Sequence, residues 1–354
     1  MEKAVFRFKL EGSPVYCERY GCGHINETYL VKTDKNKRYI LQRINTHVFP
    51  DVEALMENVA SVTKFIGARV RSPRGAMRLV ETSDSKSFFR DSEDNCWRVY
   101  NFIEEGICLQ KAETSLDFYE SAIAFGGFME QMSTFPAETL NETIKDFHNT
   151  IDRYRRFKEI LHRDPMGRAK EVERETEAIL SREEEAGRLH RMRIRGELPL
   201  RVTHNDTKLN NVMLDKATRK ALCVIDLDTV MPGLSLYDYG DSIRFGAASA
   251  CEDERDLSRM RIDLEMFRVY TAGYVKACPS LTKMEREMLP LGAKTMTLEC
   301  GIRFLTDYLD GDHYFAVHRD KHNLDRARTQ LRLVEDMETK WDEMNRIIRE
   351  EIPT

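Results

Sequence analysis

The sequence is short of paired cysteines, long apolar runs and compositional bias. Its 8 cysteines (Cys17, Cys22, Cys96, Cys108, Cys223, Cys251, Cys278, Cys300) are scattered, with no Cys-x-x-Cys pair among them. The opening MEKAVFRFKLEG has no apolar core of the signal-peptide kind. No run approaches the ~20 apolar residues of a membrane span. Together these absences predict free thiols in a reducing cytoplasm and no membrane association. No repeat or low-complexity tract interrupts the chain. The net charge of −5 gives no basis for a general nucleic-acid surface, although a few local cations can still hold a small anion. What remains is an ordinary globular composition: 354 residues, 41% apolar and 32% charged, enough for one large domain or two lobes.

The first hundred residues alternate as strands with one helix. ETYLVKT and KRYILQRI are β-rich runs joined by the turn-like DKNK. From Asp51 to Ala68, Val52, Leu55, Met56, Val59, Val62 and Ile66 recur at three- and four-residue spacing, which predicts a helix with one apolar face. Pro50 stands just before it, a fitting place for a helix start. MRLVET, SKSFFR and CWRVYNFI then predict further strands of a small antiparallel sheet. After Ile103 the character turns helical. SLDFYESAIAFGGFMEQM offers Leu116, Tyr119, Ala122, Ile123, Phe128 and Met132 as core positions. Residues 151–200 are rich in Arg and Glu and predict a solvated helix face laced by i,i+4 ion pairs. The stretch from about 252 to 350 is again helical. The expected architecture is α+β and bilobal: a β-rich lobe over residues 1–103 and a larger, mostly helical lobe over residues 104–354, with a cleft between them for a ligand.

The chemistry concentrates in RVTHNDTKLNNVML and, shortly after it, ALCVIDLDTV. Phosphoryl transfer needs a carboxylate to orient the attacking hydroxyl and accept its proton, oxygen ligands for Mg²⁺, and a cation near the moving group. Asp206 suits the base, Lys208 the cation, and Asn211 and Asp226 the metal ligands, both being hard oxygen donors. Asp206 alone reads as a turn residue and His204 alone as a structural histidine. The ordered set of His204, Asp206, Lys208 and Asn211, followed by Asp226 and Asp228 at the end of an apolar run, is far more specific.

That set resembles the H-R-D-L-K-x-x-N loop of the protein-kinase-like superfamily, with Ile225-Asp226-Leu227 similar to its D-F-G step. Asp228 in place of the glycine and the absence of an A-P-E segment turn the resemblance away from protein substrates. It runs instead toward the aminoglycoside phosphotransferase and choline kinase family. THNDTKLNNVMLD, GHINETY, YILQRIN and GIRFLTDYLDGDHYF are similar to the N-acetylhexosamine 1-kinases. The resemblance spans about Tyr20 to Arg328 and implies an ATP- and Mg²⁺-dependent kinase. Its product would be the 1-phosphate of N-acetylglucosamine or N-acetylgalactosamine. Other small hydroxyl acceptors (choline, homoserine, an aminoglycoside) stay open, as does a non-catalytic pseudokinase.

The resemblance also implies roles elsewhere. Gly21 and Gly23 would form a loop over the ATP phosphates, or simply a hairpin turn. No lysine stands on the strand RYILQRI, so Arg43 is the expected phosphate cation, Gln42 pointing to the opposite face. Its helix partner would be Glu57 or, one turn away, Glu53. Tyr100, Asn101, Phe102 and Ile103 would border adenine. Asp238 and Asp241 are expected to hold the loop together. Phe245 would stack on the sugar, and Arg303 and Tyr314 would help to hold it. Arg303 and Asp307, one turn apart, equally fit an internal ion pair.

Overall fold

The computed structural model describes residues 3–21 and 25–352. The first lobe is built on an antiparallel sheet of six strands: β1 (Pro14–Arg19), β2 (Glu27–Thr33), β3 (Arg38–Arg43), β4 (Leu79–Val80), β5 (Phe89–Arg90) and β6 (Cys96–Asn101). They are ordered β1-β2-β3-β6-β4, with β5 also paired to β6. The long central pairing sets Gln42 opposite Arg98 and Arg43 opposite Trp97. One face of this sheet, with Tyr39, Leu41, Trp97 and Val99, closes over Val5 and Phe8. The other face, with Ile40 and Tyr100, belongs to the main core.

Helix α1 (Val52–Gly67) starts where its sequence dictates, with the Asp51 carboxylate accepting the Ala54 N–H at 2.9 Å. All six of its periodic apolar residues are buried. The helix also docks on the larger lobe, where Asn58 Nδ2 donates to Asn141 O at 2.8 Å and Val230 O at 3.0 Å.

Past residue 103 the chain adds strand β7 (Gly106–Ile107) and α2 (Ser115–Gln131), which opens on a capping box made by Thr114 and Asp117. In α2 the buried residues include Phe118, Ala122, Phe125, Phe128 and Met129, whereas Leu116 is 51% exposed. The expected stripe was therefore misplaced at its start, because α2 packs between two later strands and a later helix and buries its Phe118–Phe125 side.

The Arg/Glu-rich region forms α3 (Thr150–Arg163), α4 (Glu173–Leu180), α5 (Glu183–Ala186) and α6 (Arg188–Ile194). Some of its ion pairs are local, such as Arg155–Glu159, but Arg182–Glu338, Glu175–Arg328 and Glu185–Lys294 tie it to distant helices. Two small ladders follow. Strand β8 (Arg201–Thr203) pairs β11 (Met231–Gly233), and β9 (Val212–Asp215) pairs β10 (Ala221–Val224). Helices α7 (Ser235–Gly246), α8 (Leu264–Ala277), α9 (Lys283–Glu287), α10 (Leu289–Asp310), α11 (His322–Thr339) and α12 (Trp341–Glu351) complete the lobe. No described helix is long and apolar enough to cross a membrane, and the described cysteines form no disulfide.

Candidate active site

The two ladders build the site. The loop of residues 204–211 runs from β8 to β9, and the segment of residues 225–230 runs from β10 to β11. Because Thr203 pairs Met231 and Val212 pairs Val224, both ends of both loops are pinned side by side. Cross-links finish the job: Ile225 N–H to Asn211 O at 2.8 Å, Asn205 Nδ2 to Thr229 O at 2.8 Å, and Thr229 Oγ1 to His204 O at 2.6 Å. Asn205 and Asp226 both take left-handed backbone, φ 64° and 61°. Short polar side chains tolerate that region best after glycine.

Asp206 lies at the loop's tip. Asn211 Nδ2 donates to its backbone oxygen and to Oδ2, both at 2.9 Å, and Lys208 Nζ is 2.8 Å from Oδ1. Burial works against the Lys208 charge, but Asp206 and Asp241 outweigh it and raise its pKa. Asp206, Lys208 and Asn211, the expected base, cation and one metal ligand, are thus in direct contact.

Asp226 is different. Its carboxylate accepts no hydrogen bond and no ion pair from the described residues. The side chain is exposed, yet crowding by the surrounding protein and the charges of Asp228 and Asp206 push its pKa up to about 7. The Asn211 amide nitrogen is spent on Asp206, which leaves its carbonyl oxygen as an acceptor. An uncompensated carboxylate beside a free amide oxygen is a donor set suited to a hard divalent cation.

His204 is structural. It is fully buried between Phe125 and Phe128, its Nε2 is 2.9 Å from Ile225 O, and its N–H donates to Asp238 Oδ2 at 2.8 Å. Asp238 also accepts the Asn205 N–H at 2.8 Å, so it clamps the loop from below as expected. Burial lifts its carboxyl to about 6 against the pull of His204. Asp241 pairs with Arg244 at 2.9 Å, which continues to Glu252 at 2.7 Å.

The nucleotide side departs from expectation. Arg43 does not face the cleft and does not meet Glu57. It lies on the outer face of the sheet, 38% exposed, bound to Glu27 and near Asn95. Glu57 is exposed and accepts from Asn141 at 3.1 Å, while Glu53 pairs with Arg90 at 2.9 Å. The reason is strand parity: Gln42, not Arg43, points inward. The inward cation is Arg98, opposite Gln42 on β6. Arg98 Nη1 is 2.5 Å from Asp228 Oδ1, Nη2 donates to Asp228 Oδ2 at 2.9 Å, and Nε donates to Gln42 Oε1 at 3.0 Å. Sequence reasoning missed this pair. The available signals were an arginine inside the apolar CWRVYN and a second carboxylate closing IDLD.

Tyr100 is 2% exposed and packs within 5.3 Å of Arg98, so its ring belongs to the core wall and not to the cleft mouth. The Asn101 and Phe102 N–H groups are committed to Arg78 O and Arg38 O. The Phe102 ring carries Arg38 on its face and Tyr20 on its edge, and Ile103 is buried. Gly21 has φ +77° with open space around it, as a tight loop needs. Gly23 lies outside the described residues.

On the acceptor side the expected residues separate. Phe245, 39% exposed, lines a cavity of about 500 Å³ with Thr207, Leu209, Arg244 and Gln330. Arg303 and Tyr314 are not on that wall. Arg303 sits among the rings of Phe147, Tyr314 and Phe315, with Nη2 3.4 Å from the Tyr314 hydroxyl. It makes no ion pair with Asp307, whose carboxylate instead accepts the His313, Tyr314 and Phe315 N–H groups and Asn323. On the side toward Asp206, Lys208 acts on Asp241, and Asp241 binds Arg244.

Residues 17–272 match the model of the phosphotransferase enzyme family. The chain belongs to that family. This phosphotransferase is similar in fold to an aminoglycoside phosphotransferase from Alicyclobacillus acidocaldarius (TM-score 0.65, 12% identity, 98% of this chain and 96% of that one). It is also similar to an amicoumacin kinase in complex with AMP-PNP, Ca²⁺ and Ami (0.60, 12%, 93% and 91%). A third likeness is to a choline kinase from Streptococcus pneumoniae (0.52, 12%, 92% and 94%). At these identities the likeness is one of fold: an antiparallel sheet lobe joined to a helical lobe.

Proposed function

We propose that this phosphotransferase is an ATP- and Mg²⁺-dependent kinase of a small hydroxyl acceptor, with an N-acetylhexosamine phosphorylated at its anomeric hydroxyl as the specific reading. The observation that carries the kinase reading is the contact of Asp206 with Lys208 and Asn211 beside the uncompensated Asp226. Asp206 orients the acceptor hydroxyl and takes its proton as the oxygen–phosphorus bond forms. The bond from the γ-phosphorus to the bridging oxygen breaks, and ADP leaves with the electron pair. Lys208 offsets charge on the moving phosphoryl group. Asn211 and Asp226 would hold Mg²⁺, which when bound neutralises phosphate charge. A pseudokinase has no need for this complete set.

The acceptor side favours a neutral sugar over an amine. Arg303 has no carboxylate within 4.0 Å among the described residues, and Arg153 close by is pushed down in pKa by burial and by Arg303 itself. Two guanidiniums with donors to spare suit hydroxyl and amide oxygens and repel a choline- or aminoglycoside-like cation. Arg303 and Tyr314 are assigned to the hexosamine on this ground, and Phe245 to a second contact from the neighbouring cavity.

The test is ADP release from ATP and Mg²⁺ across N-acetylglucosamine, N-acetylgalactosamine, glucose, galactose, choline, homoserine and kanamycin, with phosphorus NMR of the product. Selective turnover of the N-acetylhexosamines to an anomeric phosphate is the expected result. Turnover of choline or kanamycin instead would overturn the sugar reading and keep the kinase.

A further inference from the structure

We infer that Arg98 and Asp228 form the ion pair that couples the two lobes around the nucleotide, and that Asp228 is a positioning residue for Asp226 and for Asn26 at the start of β2. The inference rests on the kinase reading above. In the arrangement expected from the sequence, a strand cation pairs with a glutamate of the first helix. Here α1 gives the cleft no carboxylate: Glu53 and Glu57 are both turned outward. It contributes Met56 instead, whose sulfur lies 3.9 Å from Arg98 Nη1. The cation has moved one strand over, and the carboxylate has moved to the metal-binding segment.

Three elements converge on Asp228. Arg98 brings β6, and through Gln42 it brings β3, itself braced by Gln42 Nε2 to Thr28 Oγ1 at 3.0 Å on β2. Asn26 stands directly before β2: its Nδ2 donates to Asp228 Oδ2 at 2.6 Å, and its Oδ1 accepts the Asn45 N–H at 3.0 Å. Asp228 itself sits two residues after Asp226, within a single 3₁₀ turn. A carboxylate held by Arg98 of the sheet on one side and by Asn26 on the other fixes where Asp226 points. Arg98 is 1% exposed and Asp228 3%, so water does not compete for either partner. Burial disfavours the arginine charge, yet the adjacent Asp228 carboxylate holds its pKa above the ordinary value. A buried pair of this kind defines geometry more than it adds stability. Asn26 and Asp228, 202 residues apart in sequence, are thereby joined directly.

The experiment measures Mg·ATP binding by calorimetry for wild type, Arg98→Gln, Asp228→Asn and the double variant, with melting curves to confirm folding. Arg98→Lys serves if Arg98→Gln does not fold. N-acetylglucosamine turnover gives the KM values for nucleotide and acceptor separately. Each single variant is expected to weaken Mg·ATP about tenfold, in the range of coupled pairs, with the acceptor KM unmoved. The neutral double variant, in which Gln and Asn can still hydrogen-bond, is expected to bind Mg·ATP better than Arg98→Gln alone. A double variant weaker than either single would make Asp228 an independent metal ligand and overturn the inference. So would folded single variants that bind Mg·ATP as wild type does. Failure of the wild type itself to bind Mg·ATP would instead overturn the kinase reading.

Discussion

Arg43 and Arg98 sit on paired strands, one register step apart, and each holds a carboxylate. One lies on the outer face of the sheet and is 38% exposed; the other lies under it and is 1% exposed. Their sequence contexts point the wrong way. Arg43 occupies the place where a motif search expects the phosphate cation, while Arg98 hides in what reads as an ordinary core strand. Side-chain parity in a pleated sheet, and not proximity to a motif, decides which charge reaches the cleft. The lesson is that the strand a motif singles out need not be the one that turns a cation inward: register and parity put Arg98, not Arg43, on the inner face.

The predictions press on this contrast between the buried site and the outer surface. The largest effect is expected at Asp206, the proposed base. Asp206→Asn is expected to lower kcat by about 10²–10⁴ and to leave ATP binding in place, measured by initial rates and nucleotide titration. Near-normal kcat would remove Asp206 from the mechanism.

The next effect separates the two arginines directly. Arg98→Met leaves Asp228 buried without its cation and is expected to cost about 3–5 kcal/mol of stability. Arg43→Met breaks a half-exposed pair and is expected to cost about 0–1 kcal/mol. Chemical denaturation of the two variants side by side reads the difference, and equal losses would show that the sheet does not separate the charges in the way described.

On the acceptor side, Arg303→Ala removes charge-assisted hydrogen bonds worth about 1.5–3 kcal/mol. The expected result is a ten- to hundredfold rise in acceptor KM, of that order by the usual arithmetic, with the KM for ATP unmoved. An unchanged acceptor KM would leave Arg303 as a packing residue between Phe147 and Phe315.

What could be read from the sequence follows from where each interaction closes. The clustering of Asp206, Lys208 and Asn211 was legible because Asp206 contacts both of the others within one short segment. Helix α1 was legible because its apolar spacing is local, and all six periodic residues are buried. The partner of Arg98 lies 130 residues away, and the register that sets Gln42 opposite Arg98 is written in no single segment. The Arg303–Asp307 alternative failed for a similar reason. The helix spacing allowed the pair, but the loop at 313–315 returns its N–H groups to Asp307 and uses up the carboxylate.

The smallest expected effect is also the sharpest comparison with the motif-based picture. If α1 carried the nucleotide-side carboxylate, Glu57→Gln would abolish the pair with the phosphate cation and lower activity severely. In this fold Glu57 is exposed, and its hydrogen bond among the described residues is with Asn141 and not with Arg98. Surface substitutions of this kind leave stability nearly unchanged, so kcat and the KM for ATP are expected to stay within about twofold of wild type. Asn141 keeps its other hydrogen bonds, to Ala54 O at 3.3 Å and from its own N–H to Asn58 Oδ1 at 2.8 Å, so the joint between α1 and the larger lobe survives the change. A large rise in the KM for ATP would mean that α1 rotates to bring Glu57 inward when nucleotide binds. The cleft carboxylate would then be shared between α1 and Asp228 instead of residing on Asp228 alone.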